Sequence, residues 1–253
     1  MNNFITYEYN SIIPSDLSSK TILMLGRAKS QNKRFELGIQ AMEYIAQEIN
    51  DVNMKIISII NGTYHLQNLI VNIKLEKNIK FIGYSLTPEI FFKNSSLHIF
   101  PTISESFGLV LSETKIFGIP NILLGLDYVS LSKGGNIIIY DDSPESIAKE
   151  SLKILYDEKY RKNLGKSAKQ SMKKFNNQQL LNKWIKLIVS IYNNELYYKI
   201  LRKNEKEMNE NIAKNILTNQ INLLKKRNIN FKNITFNDFK NFNNFYNFQQ
   251  RII

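Results

Sequence analysis

The chain has 253 residues, of which 43% are hydrophobic, with a formal net charge of +12 and no cysteine. That length suits one large domain or one and a half, with a sizeable core. The lack of cysteine excludes disulfides, thiolate metal sites and a cysteine nucleophile, and no apolar run approaches the roughly 18 residues of a membrane span. The opening Met1-Asn2-Asn3-Phe4-Ile5-Thr6 lacks the basic start and apolar centre of a signal peptide, so a reducing, cytoplasmic location is expected.

Residues 1–17 read as a polar, irregular linker with a turn at Pro14-Ser15-Asp16. Strand and helix signals then alternate. Ile22 to Leu25 is a buried-type strand ending at Gly26, and Phe35 to Ile49 has helical spacing of apolar residues. Met54 to Ile60 predicts a strand, Tyr64 to Leu75 a helix, Ile79 to Ile82 a strand and Pro88 to Lys93 a short helix. Leu97 to Phe100 is the next strand, Phe107 to Phe117 a helix, and Asn121–Leu124 and Ile137–Tyr140 are further strands. Helices follow over Pro144–Tyr156, with Ser143 as N-cap, and over Lys159–Lys174 and Gln178–Tyr192. Continuous apolar strands alternating with amphipathic helices predict an α/β fold: a Rossmann-like parallel sheet covered on both faces.

Beyond residue 194 the character changes. Leu196 to Lys226 is charged with helical spacing, and Asn228 to Ile253 is rich in asparagine and phenylalanine. From Glu195 to Ile253 there are 11 Lys/Arg and 5 Asp/Glu, so +6 of the net charge lies in this extension. A basic extension is a candidate for contact with an acidic membrane surface. Nucleic-acid binding is disfavoured, because its aromatics are separated mainly by Asn and no nucleic-acid motif is present.

Two segments carry candidate chemistry. Gly26-Arg27-Ala28-Lys29-Ser30-Gln31-Asn32-Lys33-Arg34 follows the first strand, at the sheet edge where open α/β sheets bind ligands. Its Arg27 offers a planar fork for phosphate. The second is Glu105-Ser106-Phe107-Gly108-Leu109-Val110-Leu111-Ser112-Glu113. Its two acids, in a strand-to-helix loop and about two helical turns on, would be offset by about 80° and about 12 Å. They could reach opposite ends of one extended polar ligand lying across a helix N-terminus, which itself attracts phosphate. Gly108 in a first turn costs about 1 kcal/mol against Ala, which suits close approach of a ligand. No G-x-G-x-x-G is present, so a nicotinamide or flavin cofactor has no support. No His/Asp/Glu metal cluster is evident, and neither metal nor cofactor is expected. His98 lies inside a strand and reads as a hydrogen-bonded structural residue.

Together these segments resemble the donor-binding C-terminal domain of the retaining, GT-B-fold glycosyltransferases of group 1 (family 4). The resemblance rests on Gly26-Arg27 with Lys33, on Glu105-x-Phe107-Gly108 ending at Glu113, on Phe81-Ile82-Gly83-Tyr84 and on Ile116-Phe117-Gly118-Ile119-Pro120. It covers roughly residues 18–194. It implies a nucleotide-diphosphate sugar (UDP-, GDP- or ADP-linked) as substrate. It implies that Arg27 and Lys33 neutralise the departing diphosphate and that Glu105 accepts hydrogen bonds from sugar hydroxyls. Glu113 would hold the ribose, and the backbone at Gly83 and Tyr84 would meet the base. Gly26, Ser106 and the amides of Phe107, Gly108 and Leu109 would complete the donor site. In such a mechanism the two glutamates are ligands rather than a glycosidase acid and base pair.

The sequence also departs from the family pattern. Gly125-Leu126-Asp127-Tyr128-Val129-Ser130 lacks the usual Thr/Asp-Gly-Gly, although Lys133-Gly134-Gly135 follows. About 20 residues precede the first strand, far fewer than a domain. The expectation is therefore that an acceptor-binding half comes from another chain or a longer product. The alternative is a non-catalytic nucleotide-sugar-binding subunit.

Overall fold

A computed structural model of the chain describes residues 5–127, 129–175 and 177–192. The elements in order are β1 (Thr21–Leu25), α1 (Phe35–Glu48), β2 (Asn53–Ile57), α2 (Tyr64–Asn72), β3 (Ile79–Phe81), α3 (Glu89–Phe92) and β4 (Leu97–Phe100). They continue with α4 (Leu109–Ile116), β5 (Asn121–Leu124), β6 (Asn136–Ile139), α5 (Pro144–Tyr156), α6 (Glu158–Ser171) and α7 (Asn177–Tyr192). Single 3-10 turns precede α1 at Gln31–Lys33 and follow α6 at Met172–Lys174. Contacts divide the chain after Tyr192, and the extension expected from residue 195 lies outside the described residues.

All six strands are parallel and ordered β3-β2-β1-β4-β5-β6. Ile22 pairs with Met54 on one side and Leu97 on the other, and Ile122 pairs with Ile99 and Ile137. This is the doubly wound, Rossmann-like order, in which the chain reverses direction of growth between β1 and β4. Successive strand residues point to opposite faces, so each continuous apolar strand feeds two cores. Ile22 and Met24 pack with Ile39, Met42, Leu66 and Ile147 beneath α1, α2 and α5. Leu23 packs with Phe92, Phe100, Leu111, Phe117 and Leu123 beneath α3 and α4.

Boundaries differ from the sequence expectation where side-chain role and backbone conformation diverge. The strand expected over Met54–Ile60 ends at Ile57, and Ile59 and Ile60 are exposed. The helix expected from Phe107 starts at Leu109, because Phe107 is a buried anchor and Gly108 holds φ 85°. Glu113 is therefore about one turn into α4. Ile5–Leu17 contains no helix or strand, yet Ile5 and Leu17 are buried. The Ser15 amide donates to Phe117 O at 2.8 Å. The buried Arg161 guanidinium donates to Leu17 O at 2.9 Å and to the α5 carbonyls of Ile154 and Leu155 at 2.9 and 2.7 Å. Those three charge-assisted bonds hold the segment preceding β1 against the domain.

The described residues of the connection from β5 to β6 form no helix. In its place Lys115 of α4, fully buried, donates to Leu131 O and Lys133 O, each at 2.6 Å. The Asn136 side chain donates to Leu131 O at 2.9 Å and Ser132 O at 2.7 Å. Burial pulls the Lys115 ammonium down to about 7, and the charge of Lys174 pulls the same way.

Candidate functional site

The reversal between β1 and β4 opens a crevice at the carboxyl ends of these two neighbours. After β1, the Gly26 amide donates to Ile57 O at 3.2 Å and the Ala28 amide to Ser58 Oγ at 2.9 Å. These bonds tie the start of the basic loop to the end of β2. After β4, the second loop is stitched to the first through Asn32. Its carbonyl accepts from the Ile103 amide at 2.9 Å, and its side-chain amide donates to Ser104 O at 3.1 Å.

This stitching brings Arg27, Asn32, Lys33, Ser104, Glu105 and Ser106 around one open depression of about 460 Å³. Lys33 Nζ lies 2.8 Å from Glu105 Oε2 and 5.1 Å from the Phe100 ring centroid. Both partners of that pair are largely shielded from solvent. Arg27 is exposed and has no ion-pair partner among the described residues. Arg34 turns away from the depression and pairs with Asp142 at 2.6 Å.

The loop enters α4 through Gly108, whose left-handed conformation suits glycine because a Cβ there would be strained. That Cβ would also stand 3.5 Å from Glu105 Cγ and 3.3 Å from Leu111 Cβ. The first-turn amides of α4, like those of any helix, have no intrahelical acceptor, and Gly108 supplies no side-chain cap for them. The buried Phe107 ring, edge-on to Phe175 at 5.7 Å, fixes this entry.

Glu113 has a different partner. Thr6 Oγ1 donates to its Oε1 at 2.7 Å, and burial raises its carboxyl above the usual range against that bond. Beside it the Tyr7 hydroxyl donates to Glu89 Oε2 at 3.1 Å, and burial, then Glu89, raises the Tyr7 phenol. Gly83 and Tyr84 follow β3, two strands from β1 along the same sheet edge, and the Tyr84 side chain is exposed. The structure thus gathers Arg27, Lys33, Glu105 and Ser106 at one depression. It places Glu113 with Thr6, and Gly83 and Tyr84 further along the edge.

His98 is a core residue. Its Nδ1 lies 2.8 Å from Asn121 Oδ1, and burial pulls it down to about 4, against the bond it donates to Asn121. The Asn121 amide is oriented by donation to Ile119 O at 2.8 Å, so its oxygen accepts from His98 and, at 2.7 Å, from Thr114. Sequence reasoning passed over Asn32 and Thr6. Asn32 stands within the basic loop, so its polar type was visible there. Thr6 had no signal, since its bond to Glu113 spans 107 positions. Among the described residues there is no group of three or more His, Cys, Asp or Glu able to hold a metal. Nor is any described helix long and apolar enough to cross a membrane.

Cations and an acid thus stand at the switch point of a Rossmann-like sheet, the architecture of one half of a GT-B fold. The model of the family described as "Glycosyl transferases group 1" matches residues 8–171, and the chain belongs to that family. No curated protein matches in a sequence search. Among solved structures, a variant of TarM from S. aureus, in complex with Fondaparinux, alpha-GlcNAc-glycerol and UDP, is similar at 21% identity and a TM-score of 0.64. The match covers 73% of this chain and 38% of TarM. The pneumococcal O-GlcNAc transferase GtfA, in complex with UDP and GlcNAc, is similar at 20% identity and a TM-score of 0.61, over 71% of this chain and 38% of that one. Sucrose-phosphate synthase from Thermosynechococcus elongatus is similar at 16% identity and a TM-score of 0.63, over 74% and 51%. The chain therefore corresponds to about two fifths to one half of these proteins, and at these identities the likeness establishes the fold.

Proposed function

We propose that the chain binds a nucleotide-diphosphate sugar and supports retaining glycosyl transfer to an acceptor held by a further domain or a separate chain. The observation that carries this reading is the Lys33–Glu105 pair at the β1/β4 switch point, beside Arg27, which has no ion-pair partner among the described residues. A diphosphate entering the depression would draw on Arg27 and Lys33. Glu105 would then exchange an ammonium for sugar hydroxyl donors. The diphosphate gains charge as the glycosidic bond breaks, so these two cations act on the transition state as well as on binding. The amides of Phe107 and Gly108 in the entry loop and of Leu109 at the start of α4 face oxygens of the same ligand, Glu113 takes the ribose hydroxyls, and the backbone at Gly83 and Tyr84 meets the base. TarM and GtfA hold UDP in their structures, which supports a nucleoside-diphosphate sugar as the donor.

Thermal-shift screening of the full chain against nucleoside diphosphates and their sugars tests the donor half of the proposal. A ligand at about 100 times its dissociation constant adds about 2.7 kcal/mol. Unchanged stability with every nucleoside diphosphate, or unchanged affinity in Arg27→Ala, would overturn it.

A second reading, a nucleotide-sugar-binding subunit without turnover, is supported by one observation. All the groups named above belong to one Rossmann-like unit, with no opposing wall among the described residues. Sugar transfer assayed with and without acceptor-domain chains separates the two readings. Transfer restored by such a chain supports the enzyme, and binding without transfer under any pairing supports the subunit.

A further inference from the structure

A second basic surface lies away from the crevice. Lys162, Lys166 and Lys169 of α6 and Lys173 of the turn that follows it are spaced four, three and four residues apart. At 100° per residue this spacing confines them to about 60° of one helix face, over about 16 Å. They face Tyr9 and the segment Pro14–Leu17 across a groove of about 460 Å³. The floor is concave because two glycines meet there. A Cβ on Gly165 would stand 2.3 Å from Gly118 O and 2.6 Å from Leu17 Cδ1, so any larger residue would push α6 off the domain.

The charges in this groove are unequally compensated. Lys162 pairs with Glu158 at 2.5 Å, and its charge lowers the Asp16 carboxyl, though less than the bonds from Ser18 do. Glu8 lines the adjoining hollow that Lys173 also borders. Lys166, Lys169 and Lys173 have no ion-pair partner among the described residues. Lys169 is held inward by donation to Ile12 O at 2.5 Å, and both it and Lys173 lie over the Tyr9 ring, at 5.4 and 5.8 Å from its centroid. Burial lowers the Lys169 ammonium, with no carboxylate to offset it. Three ammonium groups are thus turned toward one concavity, one of them partly desolvated. An anion with several oxygens would recover that electrostatic cost.

We propose that this groove binds an anion carrying two or more phosphoryl groups, at a site separate from the crevice of Arg27 and Lys33. Neighbouring positions on such a helix face stand about 5–6 Å apart at Cβ, so flexible lysines can converge on adjacent phosphoryl groups. The separation follows from α4. Its Leu109 end borders the crevice and its far end runs into Gly118, on the groove floor, and its eight residues rise about 12 Å. The same chemistry occurs in a free polyphosphate-bearing metabolite and in a phosphorylated lipid headgroup.

The test uses the full chain with Arg27→Ala and Lys33→Ala, which removes the crevice cations, and titrates it calorimetrically with inorganic tripolyphosphate. Binding is expected, weakening as salt is raised. Adding Lys166→Glu and Lys173→Glu should weaken it at least 10-fold, and Lys166→Gln with Lys173→Gln should give an intermediate loss at unchanged thermal midpoint. The graded pair keeps the result interpretable if the charge reversals unsettle the fold. Co-sedimentation with vesicles of phosphatidylcholine alone or mixed with phosphatidylinositol bisphosphate separates the sources. Lysine-dependent pelleting with the mixed vesicles assigns a headgroup, and tripolyphosphate binding without pelleting assigns a free anion. No binding to the Arg27→Ala, Lys33→Ala chain, or binding indifferent to Lys166 and Lys173, overturns the proposal. Neither result touches the donor site, whose own test is the loss of nucleoside diphosphate in Arg27→Ala.

Discussion

The two ends of α4 solve opposite electrostatic problems. At the Leu109 end an uncapped helix start and the cations Arg27 and Lys33 stand by an open depression, with Glu105 the only carboxylate lining it among the described residues. At the Ile116 end a single ammonium, Lys115, is sealed in the interior against two loop carbonyls. The first end leaves polar groups available to a ligand, and the second uses a charge to hold chain that has no helix of its own. A charge therefore serves binding where solvent can reach it, and architecture where solvent cannot.

The largest effect is expected at the sealed end. Lys115→Ala strips Lys133 O of its lysine donor, leaves Leu131 O with Asn136 alone and opens a cavity beside them. A buried carbonyl without its partner costs about 1–3 kcal/mol and the cavity adds to that, so urea unfolding should show a loss of about 2–4 kcal/mol. Nucleoside diphosphate affinity of the folded protein should not change. A stability loss under about 1 kcal/mol would mean that the connection holds itself, and the contrast between the two ends would fail.

The next effect belongs to the open end. Arg27→Ala removes an exposed cation and should change stability by no more than about 0.5 kcal/mol. It should still weaken nucleoside diphosphate binding about 10- to 100-fold, the range of a hydrogen bond to a charged group. Isothermal titration measures this directly. A variant that instead lost stability and kept its affinity would reverse the roles assigned to the two ends.

The sheet was legible in the sequence because its central strands β1, β4 and β5 are buried on both faces. Runs such as Ile22 to Leu25, Leu97 to Phe100 and Asn121 to Leu124 carry no alternation to confuse with a helix, and glycine or proline punctuates their ends. The crevice was legible in part, since ligands of open α/β sheets sit after the strands and Arg27, Lys33 and Glu105 stand there. Lys115 was not legible. A lysine inside a helical pattern reads as a solvated face, and only the route of the β5–β6 connection turns it inward. The start of α4 was misplaced for a related reason, because Phe107 supplies the apolar periodicity of a helix while its backbone belongs to the loop.

The pH dependence of stability separates the two ends further. Lys115 is pulled down to about 7 in the folded protein from an ordinary value of 10.5. Between those values the unfolded chain binds the proton and the folded one does not, so this residue makes stability rise with pH from about 7 to about 10.5. Lys115→Met removes the titration. Urea midpoints measured at pH 7 and pH 9.5 should therefore rise more in the parent than in the variant. Equal slopes would show that the two carbonyls keep Lys115 charged throughout.

The smallest effect concerns Glu113, which sits on the open end's helix but shares the sealed end's desolvation. Burial raises its carboxyl and Thr6 opposes the shift by donating to the ionised form. With the folded value above the unfolded one, the folded state holds its proton more tightly. The associated stabilisation is complete below the unfolded value of 4.5 and is lost as pH rises through the folded value. Thr6→Val removes the opposing bond at nearly constant volume, so the carboxyl should rise further and the fall in stability should extend to higher pH. At pH 7 the cost should be about 1 kcal/mol, the net worth of one partly exposed hydrogen bond to a carboxylate. Nucleotide binding adds a second readout. If ribose hydroxyls take the place of the Thr6 donor, then Thr6→Val leaves Glu113 unpartnered in the free protein alone, and nucleoside diphosphate should bind the variant slightly more tightly than the parent. A weaker complex would instead mean that Thr6 and the ribose donate to Glu113 together, with Thr6 holding the carboxylate in its binding orientation.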